Sequence, residues 1–360
     1  MNQRLRILPV LLLLLWGLTA CGQGPGPAAF VLVVDQVQER QGLGRLFQSA
    51  AEEQGLEATV VVVTEDTQQA RLSAIDSAVS GGAQGILCVG EAYAPVIYEG
   101  QKLYPQVMFL LLDGEPRGGD NQVYETAVNT HCMLFREEQA GFLAGYAAVW
   151  EGYRSLGYCA GGETGRTMRY GYGFVQGVDA AAAGLGLAPG EVHLRYWYAG
   201  ADATVEVVKE KMADWYARGA ELVLACDEQG LTVTESLIAV AEAGGGKVMV
   251  TDWDRDSASP TVLAAAAKNY TAAVQDALLA MTEGIWSSDR AGQTVTLGAM
   301  EGGVALLGNA GRWELEQFTQ ADCRVLVEKL ACGELVVDPG TNRDSLPAAA
   351  FCTLEEQEGN

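Results

Sequence analysis

The chain has 360 residues, 46 acidic against 23 basic, giving a formal net charge of −23 at pH 7. Binding to a phosphate backbone draws on clustered lysine and arginine, so this balance speaks against a nucleic-acid partner. Hydrophobic residues make up 49% of the chain, enough for a sizeable core, and the length suits about two lobes.

The first twenty residues read as a signal peptide. Arg4 and Arg6 precede an apolar run over 7–16, and Leu18-Thr19-Ala20-Cys21 then forms a lipobox. The apolar run is shorter than the roughly 20 residues a transmembrane helix needs. Cys21 is therefore the expected lipidated first residue, with residues 21–28 as a flexible tether on the extracytoplasmic face of the cell membrane. The rest of the chain holds no apolar stretch long enough to span a bilayer.

From residue 30 onward short apolar strands alternate with helical patterns. The expected strands are 30–34, 58–63, 85–89, 107–111, 155–160, 191–197, 221–225 and 247–250. The expected helices are 43–54, 67–80, 94–103, 137–150, 169–183, 203–218 and 231–243. This alternation predicts βαβ units and parallel sheets. It comes in two rounds of about four steps, which predicts two doubly wound lobes with ligand sites at the carboxyl ends of the strands. Beyond residue 256 the order changes to a strand at 261–267, a helix at 269–283, strand pieces at 294–297 and 304–307, and a helix reaching 330.

The seven cysteines after Cys21 form an odd, irregularly spaced set rather than a disulfide framework. Cys88, Cys159 and Cys226 fall in apolar runs and are expected to be buried thiols. His131 and His193, the only histidines, lack metal-ligand spacing, and no metal or cofactor is expected. Gly42-Leu43-Gly44 lacks the third glycine of a dinucleotide fingerprint, and the stretch Gly162-Glu163-Thr164-Gly165-Arg166-Thr167, which has no Lys-Ser/Thr ending, reads as a turn. No Gly-x-Ser-x-Gly elbow is present. Asp252 and Asp254, roughly 7 Å apart along a strand, match the spacing of an inverting glycosidase pair, but no apolar pocket that would raise either pKa is evident.

The run Phe135-Arg136-Glu137-Glu138-Gln139-Ala140-Gly141-Phe142-Leu143-Ala144-Gly145 resembles a signature of the basic membrane protein family of ABC-transporter substrate-binding lipoproteins. Tyr172-Gly173-Phe174-Val175-Gln176-Gly177, Tyr196-Trp197-Tyr198-Ala199-Gly200, Val250-Thr251-Asp252-Trp253-Asp254 and the approach to Lys268 add to the resemblance, in order, over nearly the whole mature chain. It implies an α/β fold of the type I periplasmic-binding-protein class: two Rossmann-like lobes joined by a three-strand hinge. It further implies a non-enzymatic receptor that binds a nucleoside or nucleoside-like molecule between the lobes and hands it to a permease. The expected N-terminal lobe is 29–131 plus 257–290, the C-terminal lobe 132–256 plus 291–335, and 336–360 a tail. Hinges are expected near 131–133, 254–256 and 290–292, and the protein is expected to be a monomer.

The resemblance carries Asp113, Asp252 and Lys268 over as ligand-binding positions, since a carboxylate accepts paired hydrogen bonds from ribose hydroxyls. Asp113 also reads as an Asp-Gly turn. The chain departs from the family where aromatic residues stack on the base. Asp35-Gln36-Val37-Gln38 has no aromatic, Ala201-Asp202-Ala203 stands at a second such position, and Asp227-Glu228-Gln229 replaces a glycine-rich segment. Stacking contributes about 1–3 kcal/mol per base in nucleic-acid binders, so its loss shifts the expected ligand. Asp35 stands where the family's first strand leads into an Asp and is a further ligand-binding candidate; Trp197 and Trp253 are candidate replacement walls, as is Tyr93, while Gln41, Asp227 and Glu228 point to a more polar or cationic ligand. A sugar receptor of the same fold is the alternative, and a glycoside or nucleoside hydrolase the alternative from another class.

Overall fold

The computed structural model describes residues 29–118, 122–200, 202–227, 232–252, 259–309, 311–341 and 346–357. The first lobe is a βα succession: β1 (Ala29–Asp35), α1 (Gln36–Arg40), α2 (Leu43–Glu53), β2 (Glu57–Val63), α3 (Gln68–Ser80), β3 (Ala83–Val89), α4 (Ala94–Leu103) and β4 (Met108–Leu112). A small hairpin of β5 (Arg117–Gly118) and β6 (Val123–Tyr124) precedes β7 (Thr130–Phe135). The second lobe runs through α5 (Glu137–Trp150), β8 (Ser155–Ala160), α6 (Gly165–Gly184), β9 (Val192–Tyr198), α7 (Val205–Ala217), β10 (Leu222–Cys226), α8 (Thr232–Gly244), β11 (Lys247–Thr251) and β12 (Val262–Lys268). The chain then returns to the first lobe with α9 (Tyr270–Thr282), α10 (Trp286–Asp289) and β13 (Gln293–Leu297). It ends on the second with β14 (Val304–Gly308), α11 (Gln320–Ala331) and β15 (Cys352–Gln357).

The sheets have the orders β13-β7-β4-β3-β1-β2 and β14-β12-β11-β10-β8-β9-β15. The central strands read as continuous apolar runs because helices cover both faces of each sheet. Apolar clusters accordingly lie on either side of both sheets. Thr67, Thr204 and Thr319 cap α3, α7 and α11 through their side chains. Where strands leave helices, Gly82 and Gly219 take positive φ, as expected of those turns.

The sheets redraw the expected lobe boundaries. β7 and β13 belong to the first sheet and β12 to the second, so the chain crosses at 136, between 268 and 269, and over 298–303. The expected hinges at 131–133 and 290–292 lie inside the first lobe, and 254–256 lies outside the described residues. The crossings are tied together: the Arg136 N–H donates to Leu297 O, the Asn269 N–H to Gly303 O. The expected tail also contains a strand. β15 pairs in parallel with β9, and the Asp179 carboxylate accepts the N–H groups of Phe351 and Cys352 at 2.6 and 3.0 Å. The described cysteines are free thiols, of which only Cys332 is exposed.

Candidate functional site

The lobes repeat one local construction at their strand ends. Asp113 follows β4 and donates its N–H to Met133 O on β7; Asp252 follows β11 and donates to Ala266 O on β12. Both residues are held at positive φ, 56° and 48°, and they alone do so among the described non-glycine residues. Such backbone costs about 1–3 kcal/mol and is a mark of functional positions. In each lobe the strand beside the acid ends two residues further on, at Phe135 and Lys268, and then crosses to the other lobe.

Lys268, whose side chain has no exposed surface, sits among three carboxylates. Its Nζ lies 2.9 Å from Asp113, 3.2 Å from Glu137 and 3.6 Å from Asp252. Phe135, Tyr170 and Tyr270 ring the ammonium at 5.8–6.0 Å from their centroids. Arg166 Nη2 donates to Asp252 at 2.5 Å, and Arg169 Nε to Glu137 at 2.6 Å. Three carboxylates thus meet three cations. Burial on its own would lower the Lys268 pKa, but its three acids outweigh that and hold it above the ordinary lysine value. Burial likewise works to raise Asp252 and Glu137, yet Lys268 with Arg166 or Arg169 keeps both below their usual range. For Asp113 burial prevails over Lys268, and its pKa is raised.

The acids differ in spare capacity. A carboxylate offers about four acceptor positions. Around Asp252 stand four donors: the Tyr170 hydroxyl at 2.8 Å and the Lys268 N–H at 3.1 Å on Oδ1, Arg166 and the Lys268 ammonium on Oδ2. Asp113 Oδ2 accepts from Lys268 and the Tyr270 hydroxyl, while Oδ1 has no partner. Asp113 is also the most accessible of the three, with 13% of its side chain exposed against 5% for Asp252 and 3% for Glu137.

These groups line a cleft of about 990 Å³ between the lobes, at the upper end of the usual range for small-molecule sites. Asp35 and Gln41 line it from the first lobe, one as the N-cap and the other as the C-cap of α1. Asp227 lines it from the second and accepts the N–H groups of Val233 and Thr234 at 2.8 and 3.0 Å, which makes it the cap of α8. Trp197 is not part of the wall. It alternates to the face of β9 that packs under α7, 2% exposed among Val208, Met212 and Trp215, with Lys211 over its ring. Tyr93 is likewise buried, packed beside Arg71. Cys21, Glu228 and Trp253 lie outside the described residues. Among the described lining residues the aromatic ones are Phe135 and Tyr270, set edge to face at 5.4 Å.

Sequence reasoning missed Glu137, Arg166, Arg169, Tyr170 and Tyr270. Arg166 fell in the stretch read as a turn, where α6 in fact begins: Thr164 is its N-cap, reciprocally bonded with Thr167. The spacing Thr164-x-x-Thr167 was the available signal for a helix start there. Among the described residues no His, Cys, Asp and Glu group is disposed to hold a metal, and Lys268 itself fills the space between the acids. No helix among them is long and apolar enough to cross a membrane.

Residues 39–328 match the family model described as ABC transporter substrate-binding protein PnrA-like. Among solved structures, an ABC transporter system solute-binding protein from Aeropyrum pernix K1 superposes with a TM-score of 0.67 at 21% identity, covering 88% of this chain and 95% of that one. Another from Conexibacter woesei DSM 14684 gives 0.67 at 18%, covering 87% and 99%. A carbohydrate transporter solute-binding protein from Agrobacterium Radiobacter in complex with D-arabinose gives 0.52 at 14%, covering 84% and 100%. None of the curated proteins matches this chain. The structural neighbours share the two-lobed fold of type I periplasmic binding proteins.

Proposed function

Because the chain belongs to the family of PnrA-like ABC transporter substrate-binding proteins, we propose that it is the lipid-anchored receptor of an importer, taking a nucleoside or nucleoside-like solute into the interlobe cleft and delivering it to a membrane permease. The observation that carries this reading is the polar floor of the cleft, where one strand-end acid from each lobe meets on Lys268 beside the chain crossings. A solute held there touches both lobes at once, so its binding energy favours their closure. Phe135 and Tyr270 are the aromatic residues that line the cleft among those described, and Asp113 brings an acceptor, Oδ1, that has no partner. The receptor binds without turning its ligand over. Cys21 supplies the anchor and the lobes act as a monomer.

The test is a thermal-shift screen of nucleosides, bases, sugars and polyamines, since a ligand bound only by the folded state raises its apparent stability. At a hundredfold excess over Kd the gain is about 2.7 kcal/mol. Stabilisation by nucleosides supports the reading, stabilisation by sugars alone replaces it with a sugar receptor, and release of base or sugar products would make the protein an enzyme.

A further inference from the structure

We propose that the ligand presents a positively charged nitrogen to Asp113, and that Asp252 positions the cleft wall without touching the ligand. The inference rests on the receptor reading above and gives its ligand a chemical class.

Two independent observations carry it. The first is acceptor capacity. Asp252 already accepts three hydrogen bonds, from the Tyr170 hydroxyl, Arg166 and the Lys268 N–H, and the Lys268 ammonium stands 3.6 Å from its Oδ2 as an ion pair, so a ligand hydroxyl or amine meets a carboxylate crowded by donors. Arg166 is the main obstacle: it is held from its other side by Asp227 O at 2.6 Å, which fixes the guanidinium over Asp252. Asp113 is left as the hub carboxylate with the most exposed side chain and with an unpartnered oxygen, Oδ1, that is itself buried at the edge of the cleft. A buried acceptor without a donor is destabilising, and a ligand donor that reaches it recovers that cost.

The second observation is charge. Among the described residues eight carboxylates and five cations line the cleft, and every one of those cations lies against a lining carboxylate. The pairs Arg71–Asp66 and Arg117–Glu91 take up the first-lobe arginines. The surplus falls on Asp35, Glu65 and Asp227, none of which has a cation within ion-pair distance among the described residues. A concave site with a surplus of one sign concentrates the opposite charge. A neutral hydroxyl would satisfy Asp113 Oδ1 but leave that surplus unchanged, whereas an ammonium group satisfies the acceptor and reduces the surplus by one.

The experiment compares matched pairs by isothermal titration to the full chain: adenosine with its 5′-amino congener, and butanediol with putrescine. The amine should bind more tightly in at least one pair, by about tenfold or more, the ratio of one charge-assisted contact to its neutral counterpart. Asp113→Asn should bring that ratio close to one. Asp252→Asn should weaken both members of a pair alike and leave the ratio unchanged, because its effect runs through the placing of Arg166 and Lys268. Arg166→Gln should raise the affinity of adenosine by opening an acceptor on Asp252. Equal binding within both pairs, or an amine preference that survives Asp113→Asn, overturns the inference. Binding of neutral nucleosides but of no amine overturns it too, while sustaining the receptor reading. Binding of putrescine but of no nucleoside sustains the inference and removes the nucleoside from the proposed function. If nothing binds, both fall.

Discussion

Lys268 is a lysine with no exposed side-chain surface, a state tolerated only when the lost hydration is replaced. Its three carboxylates replace it, and the two flanking arginines keep the acids from repelling one another. Removing the ammonium while keeping the volume therefore strands three acids rather than deleting one contact. Lys268→Met should lower unfolding free energy by about 3–5 kcal/mol, read from denaturant midpoints at neutral pH. A loss under 1 kcal/mol would mean that the hub is hydrated and loosely coupled. The sequence made Asp113, Asp252 and Lys268 visible through a resemblance to known binding proteins. It could not show which acid was occupied, because that depends on Arg166 reaching 86 positions along the chain.

At the scale of elements, the hub stands on a helix pair that touches backbone to backbone. A Cβ on Gly141 would come within 2.1 Å of Tyr170 O, one on Gly145 within 2.3 Å of Phe174 O, and one on Gly173 within 1.9 Å of Glu138 O. These glycines bring α5 and α6 together closely enough for Glu137 on one to meet Arg169 on the other. Gly173→Ala should cost about 1–3 kcal/mol or more as the helices are forced apart. It should also weaken ligand binding, since the Arg169–Glu137 pair separates; unchanged melting and affinity would show that the pair has slack. The same spacing, glycine every fourth residue in both helices, was legible as a family signature before its packing reason was. Central strands were legible because burial on both faces leaves continuous apolar runs. β7 was not, since Thr130 and His131 interrupt its pattern, and His131 is accommodated by its Nδ1 contact with Arg290 O at 3.0 Å and by an edge-to-face contact with Trp286. β15 escaped notice as an edge strand with exposed acids, Glu355 and Glu356, on both of its faces.

For the whole molecule, the second sheet is completed by the last strand of the chain. Leu346, Ala349, Phe351 and Leu354 pack against the core that α5 and α6 share, and Cys352 is buried in it. Ending the chain after Gly340 removes that layer and bares the edge of β9. Burial of an apolar side chain contributes about 1.5–3 kcal/mol, so the second lobe should lose several kcal/mol and the β9 amides should exchange faster, with the first lobe's β1 and β3 protected as before. Uniform loss of protection in both lobes would mean that they unfold as one unit.

The glycine contact between α5 and α6 has a consequence for how such a receptor can change its taste. With no side chain to trim at the glycine contacts, that jaw has little tolerance for substitution there, and what it presents to the cleft is inherited as a fixed pattern. The opposite jaw presents residues that follow β1, β2 and β3, including Gln36 and Gln41 at the two ends of the short α1 and Glu65 after β2. New specificities should therefore arise on that side, by exchanges that leave the stability of the molecule nearly untouched.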